Sequence, residues 1–600
     1  MAISLGVFIQ LLFLFLSFIS AAVLLVTKFK KKFEDGIVIA PLALILVLYI
    51  FSLFGLLKIG LYICCLLLLI CYVISIYSFI TSNEKVKILK NFFTPTAIIF
   101  FVGTFIVLIL CKNNLVLWWD ELRLWGVQPK IMYYTNMLPY CSKDLLWFGA
   151  ATYPPGIALL QYFGLKFSGI FNEPILYIVY YWFVMCLLVP IFSKIRRNKI
   201  ITTTIGVFVI LLLPYLFYNT ASTSEGVAYF DLLIDILMGA LFGYTLYSVY
   251  SYKGINKQSI FVFSLSLFVL TILKQLGVFF ALVALGLFIL DKLFLKNKFT
   301  FRGMKKKILY LLIPIFAILF GMLSWQLFTM SPSSEATNEL SKSSIIDNLI
   351  NHRPDYAAET LSHFVEFNLK TPYVAGFLSL AQFMVFFIVI IFLLSKAKKQ
   401  ANGGLLIYNI FLCLGLVAYL LVLLYCYLYV FTPGEAENLA SVQRYSNSFL
   451  LGMGIALVYF INDYFQSETN DKNKFGKILI PIIILLFMSC SFIYSDYNLI
   501  DDFVRNNSNT ILRAGYWEDH EISNQYVNDI SENLKTNSYE KVGLLYDQGM
   551  VHPDNYSFVT LIHSETYFDL LDKKINIVPG FYGDGFLFYD SNASRRRERR

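Results

Sequence analysis

The chain has 600 residues, of which 58% are hydrophobic, 17% aromatic and only 14% charged. Soluble domains carry about 25% charged residues, so this composition excludes a soluble globular protein. The formal net charge is +9, but the basic residues lie in clusters between apolar runs. That placement is typical of the positive-inside rule for membrane proteins, and we therefore expect no nucleic-acid partner.

Apolar runs of about 20 residues recur along nearly the whole chain, which predicts an all-α polytopic membrane protein embedded in lipid. We predict fourteen membrane spans, at residues 4–27, 37–57, 60–82, 94–117, 174–193, 200–218, 229–250, 259–274, 276–291, 308–330, 374–394, 405–431, 447–464 and 478–495. The first run lacks a preceding basic region and a convincing cleavage site, so we expect a retained helix and not a signal peptide.

The charge of the loops predicts the orientation. The connections after the odd-numbered spans are basic, including residues 28–32, 194–199, 292–307 and 472–477. Since Lys and Arg accumulate in cytoplasmic loops, every second loop is predicted to be cytoplasmic and both termini to lie outside. We expect a multi-pass protein of the bacterial cytoplasmic membrane, with any active site on the extracytoplasmic face.

Three regions follow from this pattern. Residues 1–93 form three additional N-terminal spans, and residues 94–495 form a transmembrane core with a large outer loop at 113–174. Residues 496–600 are polar and predict a small extracytoplasmic α/β domain, with strands at 542–547 and 575–579 and a helix near 563–571. The sequence has no evident internal repeat.

The outer loop opens with two adjacent acids, Asp120 and Glu121, directly after an apolar run. A charged side chain at the end of a membrane span is energetically costly, and such residues tend to have a function. A solvated loop start is the alternative, because Arg123 and Lys130 are close enough in sequence to pair with the acids at the surface.

Aromatic and proline residues follow in the same loop. Trp125 belongs to a group of tryptophans that suits an interfacial aromatic belt and a sugar-stacking surface equally well. Tyr153-Pro154-Pro155 favours a structural role in which Pro155 starts a helix over residues 156–170. That helix is too short to span the membrane and is expected to lie along the interface.

Three further features are predicted on the same side of the membrane. Tyr229-Phe230-Asp231 opens the seventh span, with Asp235 one turn further in, Lys274 interrupts the apolar stretch between the eighth and ninth spans, and Arg444-Tyr445 enters the thirteenth. Each has a plain alternative, in which Asp231 only bonds to Tyr229 or to the backbone and the two cations only extend toward headgroups.

Carboxylates and cations on one side suit transfer of a sugar from a polyprenyl phosphate. The acceptor hydroxyl needs a base, and the departing phosphate needs Arg or Lys held in place. Direct displacement at the anomeric carbon would invert its configuration. Adjacent helical residues point about 100° apart, so Asp120 and Glu121 are predicted to face different partners.

The same residues, with Pro129-Lys130 and Lys274-Gln275-Leu276-Gly277, resemble the GT-C glycosyltransferases, especially bacterial relatives of protein O-mannosyltransferases and the lipid A aminoarabinose transferase. The resemblance spans about residues 94–465. It implies that Asp120 is the catalytic base, supported by Glu121, and that Lys274 and Arg444 bind the donor phosphate, while Asp231 lines the cavity. The substrate-binding set would also contain Lys130, Tyr153, Trp125, Tyr229 and Tyr445.

The sequence departs from that family pattern at Pro129 and Gln275, which leaves the substrate open more than the class. The donor would be a polyprenyl-phosphate sugar and the acceptor an envelope glycan, lipid or protein. A divalent metal, Mg or Mn, is open because the family includes both kinds of enzyme. The alternatives are a lipid-linked sugar flippase or other transporter, and a non-catalytic envelope scaffold. An enzyme requires Asp120, Asp231, Lys274 and Arg444 to converge.

Overall fold

The structure, a computed structural model, describes most of the chain up to residue 466 and three short segments after it. The described residues are 5–112, 114, 116, 120–139, 153–167, 171–195, 200–218, 230–251, 257–295, 304–329, 354–374, 376–397, 404–466, 542–546, 580–581 and 587–590.

Most of these residues are helical. The α-helices are α1 (Leu5–Phe29), α2 (Ile39–Leu53), α3 (Leu57–Thr81), α4 (Lys85–Phe92), α5 (Pro95–Cys111), α6 (Val127–Thr135), α7 (Gly156–Leu165), α8 (Glu173–Leu188), α9 (Ile200–Tyr218), α10 (Ile234–Ser251), α11 (Lys257–Leu273), α12 (Gly277–Ile289), α13 (Met304–Thr329), α14 (Ala357–Lys370), α15 (Leu380–Ala397), α16 (Gly404–Tyr429), α17 (Pro433–Glu437) and α18 (Val442–Gln466).

Eight helical segments in the described residues are long and apolar enough to cross a membrane, or nine if the bent pair α4–α5 forms one span. The chain is therefore a multi-pass helical membrane protein, as predicted. Helices α11 and α15 coincide with predicted spans but are shorter apolar helices. The predicted span at 478–495 lies outside the described residues.

Burial separates central helices from peripheral ones. The span that contains α8 is 100% buried inside the protein, whereas the spans of α3 and α13 are only 28% and 22% buried. Helix α10 is also enclosed, with every residue from Ile234 to Val249 buried. The peripheral helices present apolar side chains outward, which is the arrangement expected of helices that contact lipid.

Helices α10 and α18 pack closely along their length because α10 carries Gly239 and Gly243, four residues apart. A Cβ atom on Gly239 would lie 2.7 Å from the backbone oxygen of Ser448, and one on Gly243 would lie 2.6 Å from Cδ1 of Ile455. Small residues at this spacing let two membrane helices approach closely. The pair forms the centre of the bundle.

Helices α8, α10 and α18 start at one end of the bundle, together with α12. At their other end, Asn462 of α18 donates to the backbone oxygen of Ile191 (3.0 Å), just after α8, and Lys194 pairs with Asp463. Lys292, after α12, donates to the backbone oxygen of Val249 in α10 (3.0 Å). We call the end where these four helices begin the site end.

Two predictions for the helical region are wrong in detail. Lys292, predicted to begin the basic loop 292–307, instead lies in a helical turn over Leu290–Leu295, where it is 1% exposed and pairs with Asp291 at 2.7 Å. Helix α7 does not lie along the membrane surface, because all of its residues are buried and it packs against α8, α2 and α6. It ends at Leu165, and Pro155 precedes its first residue as predicted.

The last described residues form a small sheet in the order β2-β1-β3. Strand β1 (Val542–Tyr546) pairs in parallel with β2 (Gly580–Phe581) and antiparallel with β3 (Leu587–Asp590). Strand β1 coincides with the predicted strand at 542–547. The predicted strand at 575–579 and the predicted helix near 563–571 lie outside the described residues.

The α10–α18 contact can be tested with Gly239→Ala. The added methyl group would press on the backbone of α18, and overpacking of this kind costs about 1–3 kcal/mol, more than the ~1 kcal/mol that alanine gains in a helix. We expect a lower unfolding midpoint for the detergent-solubilised protein. Gly404→Ala is the matched control, because its Cβ would meet no atom within 4 Å. Equal midpoints for both variants would contradict the close contact.

Candidate functional site

A network of four charged side chains occupies the site end. Arg444 Nη1 lies 2.7 Å from Asp120 Oδ2, and Arg444 Nε lies 3.1 Å from Asp235 Oδ2. Lys274 Nζ lies 3.0 Å from the other oxygen of Asp235, Oδ1. With two carboxylates and two cations, the network has no net formal charge. We refer to these four residues as the charge network.

The network is largely shielded from solvent, and its members differ in exposure. The Asp235 side chain is 1% exposed, whereas Asp120, Arg444 and Lys274 are 24%, 16% and 11% exposed. Asp235 therefore forms the buried base of the network, and Asp120 is its most accessible member. Asp120 and Arg444 are therefore the two members most accessible to a ligand.

Each member comes from the end of a helix. Asp120 precedes a π-helical turn over Glu121–Trp125, and Asp235 lies in the first turn of α10. Lys274 lies in the break between α11 and α12, where its backbone oxygen accepts the N–H of Gly277 at 2.8 Å. Arg444 lies in the first turn of α18. Helix ends near the membrane boundary are where ionisable side chains are least costly.

Three of the four residues expected to converge meet in the network, namely Asp120, Lys274 and Arg444. The prediction that these cations merely extend toward headgroups does not describe them, because both contact Asp235. Asp235, predicted only to lie one turn beyond Asp231, is the residue that both cations contact. The sequence feature that could have identified Asp235 is an acidic residue among apolar residues at the start of a predicted span.

Glu121 faces a different partner from Asp120, as helical geometry predicts. Its carboxylate accepts the Tyr177 hydroxyl at 3.0 and 3.1 Å and the backbone N–H of Leu232 at 2.7 Å. It is 1% exposed, so the acid pair is not a solvated loop start. Through its bond to Leu232, Glu121 links the turn before α10 to the segment that carries Asp120. This link fixes the position of Asp120 relative to Asp235.

Asp231 lies beside the network and not in it. Its Oδ1 accepts the N–H of Leu233 at 3.0 Å, and its backbone oxygen accepts the Tyr181 hydroxyl at 3.0 Å. The preceding residue, Phe230, has a positive φ of 66°, which turns the chain before α10 starts. The Asp231 side chain therefore caps the turn before α10 instead of contacting Arg444 or Lys274.

Tyr153 lies within electrostatic reach of the network. Burial raises the pKa of its phenol, and the charge of Lys274 opposes that rise. Gln128 donates to the Tyr153 backbone oxygen at 2.9 Å, and the Trp125 ring meets the Tyr153 ring edge-on at 5.4 Å. Trp125 is 4% exposed, so neither a membrane belt nor an open stacking surface describes it.

Gly156 explains how Tyr153 reaches this position. A Cβ atom there would lie 2.6 Å from the backbone oxygen of Ile272 and 2.9 Å from Cδ2 of Leu273. Only glycine allows the start of α7 to press against the end of α11, directly before Lys274. The Tyr153-Pro154-Pro155 segment is thereby brought beside that lysine.

The remaining predicted residues divide into three cases. The Tyr445 ring lies 4.3 Å from Lys274 Nζ and 5.3 Å from the Arg444 guanidinium carbon, so it lines the network. Lys130 lies in α6 and is buried, with its ammonium group 5.2 Å from the Phe171 ring centroid. Tyr229 lies outside the described residues.

The described residues do not fit a resident divalent metal. They contain no group of three or more His, Cys, Asp or Glu side chains that could hold an ion. The two carboxylates of the network already contact Arg444 and Lys274.

The arrangement has two chemical capacities. Arg444 and Lys274 can bind an anion, since a guanidinium and an ammonium group are held close together and partly exposed. Asp120 can accept a proton, because it is the accessible carboxylate beside those cations. Comparisons with protein-family models, curated proteins and solved structures find no match to this chain. The GT-C resemblance therefore stays a prediction.

The role of Asp235 can be tested with Asp235→Asn, which keeps the shape but removes the shared charge. Removing one partner of a buried ion pair costs about 3–5 kcal/mol, because the other charge is left without compensation. We expect a large fall in the unfolding midpoint. Asp120→Asn should lower the unfolding midpoint much less, since Asp120 is more exposed and Arg444 would still pair with Asp235. Similar losses for both variants would argue against Asp235 as the centre of the network.

Proposed function

We propose that the protein is an inverting membrane glycosyltransferase that moves a sugar from a polyprenyl-phosphate donor to an acceptor hydroxyl of an envelope glycan, lipid or protein. The reaction takes place on the extracytoplasmic face of the bacterial cytoplasmic membrane. The observation that carries the proposal is the contact of Asp120 with Arg444, which shares Asp235 with Lys274 at the site end.

The cations would receive the donor phosphate. A polyprenyl tail stays in the bilayer, so its phosphate lies at headgroup level, which suits charges at helix ends. In the network each cation is neutralised by a carboxylate. The phosphate would therefore have to exchange with a carboxylate, and Asp120 is the one that can leave, since Asp235 is buried and ion-paired with both cations.

That exchange connects donor binding to catalysis. Once the phosphate holds Arg444, Asp120 is released to accept the proton of the acceptor hydroxyl. The acceptor oxygen forms a bond to the anomeric carbon as the bond from that carbon to the phosphate oxygen breaks. The polyprenyl phosphate leaves with added negative charge, which Arg444 and Lys274 stabilise. Backside attack inverts the anomeric configuration.

The residues around the network would position these groups. Glu121 keeps the Asp120 loop against the turn before α10, and Asp231 supports that turn through its contact with Leu233. Tyr445 and Tyr153 border the two cations and present aromatic rings where a sugar would lie. These roles agree with the geometry of the site and with the resemblance to GT-C enzymes.

Asp120→Asn should abolish transfer while donor-phosphate binding is retained or tightened, because the amide cannot accept the proton and no longer competes with phosphate for Arg444. Purified variants in proteoliposomes would be given a radiolabelled polyprenyl-phosphate sugar and an envelope extract from a deletion strain. Product formation measures transfer, and native mass spectrometry with polyprenyl phosphate measures binding. Glu366→Gln is the matched control, since this acid is 57% exposed and pairs with Lys370 on the surface.

Near-normal transfer by Asp120→Asn would overturn the assignment of the base. If the protein moves the lipid-linked sugar across the bilayer without forming a new glycosidic bond, it is a flippase and not a transferase. An envelope-glycan comparison between the deletion strain and its parent would then identify the product affected.

Conservative substitutions should affect donor binding differently at Arg444 and at Lys274. Arg444→Lys should weaken donor binding almost as much as Arg444→Ala, because a single ammonium group cannot reach both Asp120 and Asp235. Lys274→Arg should retain more binding than Lys274→Ala, since Lys274 contacts only Asp235 among the described acids. Binding of polyprenyl phosphate by native mass spectrometry tests both pairs. Wild-type binding by Arg444→Ala would remove Arg444 from the phosphate site.

A further inference from the structure

Helix α14 (Ala357–Lys370) has an apolar surface that the bundle does not cover. Leu361, Val365 and Leu369 are 42%, 47% and 56% exposed. Their spacing of four residues places them in one line along the helix. We call these three residues the apolar flank. The flank adjoins the buried face of the same helix, which contains Ala357, Thr360, Phe364 and Asn368.

The opposite side of α14 is polar and exposed. It consists of Glu359, Ser362, His363, Glu366 and Lys370, and the last two pair at 2.9 Å. One helix therefore divides along its length into a polar strip and an apolar surface. Such a division is typical of a helix that lies at the boundary between water and acyl chains.

Contacts place α14 across the end of α16. The Tyr356 hydroxyl, just before α14, donates to the backbone oxygen of Leu428 at 3.3 Å, and the Phe364 ring lies 6.1 Å from the Tyr427 ring. Two positions that are two turns apart on α14 thus meet consecutive residues of α16. A helix that ran alongside α16 would instead meet residues equally far apart.

This crossing lies at the level of the charge network. Phe364 and Tyr427 share an apolar cluster with Leu439 and Val442, and Val442 is two residues before Arg444. The neighbouring helices α15 and α16 expose apolar side chains on their membrane flanks, including Val385 (62%), Leu414 (63%) and Leu421 (63%). The apolar flank of α14 thus adjoins helices that also expose apolar side chains.

We propose that α14 is an interfacial helix whose apolar flank binds the acyl chains of the membrane leaflet at the site end. It thereby sets the depth of Arg444 at the headgroup level of that leaflet. Three side chains bury far less than the roughly 800 Å² per partner of a typical stable protein interface, which favours lipid over a second copy of the chain. This inference does not depend on the reaction proposed above.

The unmodified protein in phosphatidylcholine vesicles tests this directly. A phospholipid with a diazirine in the upper acyl chain should label Leu361, Val365 and Leu369 after illumination, as mapped by mass spectrometry. A water-soluble diazirine should label Ser362, Glu366 and Lys370. Each probe should prefer its own set several-fold. Labelling of the apolar flank mainly by the aqueous probe would overturn the proposal.

Spin labels provide a second measurement. Nitroxides at Val365→Cys and Glu366→Cys, in a background without the nine native cysteines, should differ in collision with oxygen and with a water-soluble nickel chelate. Oxygen should dominate at Val365 and the chelate at Glu366. Protection of Val365 from both reagents, with dipolar broadening between labels, would show a second copy on the flank and would also overturn the proposal.

Discussion

The charge network depends on the carboxylate of Asp235, which is almost fully buried and is divided between two cations from different parts of the chain. One oxygen contacts Lys274 in the break between α11 and α12, and the other contacts Arg444 at the start of α18. An isolated carboxylate at this depth would be very costly, and so would either cation. Together they compensate each other, which ties three helical segments to a single point.

This compensation has a chemical effect. A site with surplus positive charge would attract any anion, whereas a neutral network admits an anion only if it replaces a carboxylate already in place. Asp120 and Asp235 are not equivalent in this exchange, since Asp120 makes one contact with Arg444 and is 24% exposed. Selectivity would then come from the ability of a ligand to compete for Arg444 while its remaining part stays in lipid.

Much of this site was predictable from the sequence because charges that interrupt apolar runs are conspicuous. Asp120, Lys274 and Arg444 were identified in that way, and alternation of basic loops placed them on one side. The choice between Asp231 and Asp235 was not predictable, since they lie four residues apart beside the same span. The positive φ of Phe230 removes Asp231 from the helix and directs it to Leu233, and only the structure reveals that turn.

The position of helix α7 was predicted wrongly for a related reason. An apolar helix that is too short to span the membrane can lie on the membrane surface or inside a helix bundle, and its hydropathy is the same in both cases.

The close packing of α10 and α18 divides the site into a fixed and an adjustable half. Asp235 and Arg444 belong to two helices that pack closely at Gly239 and Gly243, where there is no space for an added methyl group. Asp120 lies before a short π-helical turn, and Lys274 lies in a helix break. Rearrangement around a ligand is therefore assigned to the Asp120 turn and the Lys274 break, while α10 and α18 act as the rigid frame against which they move.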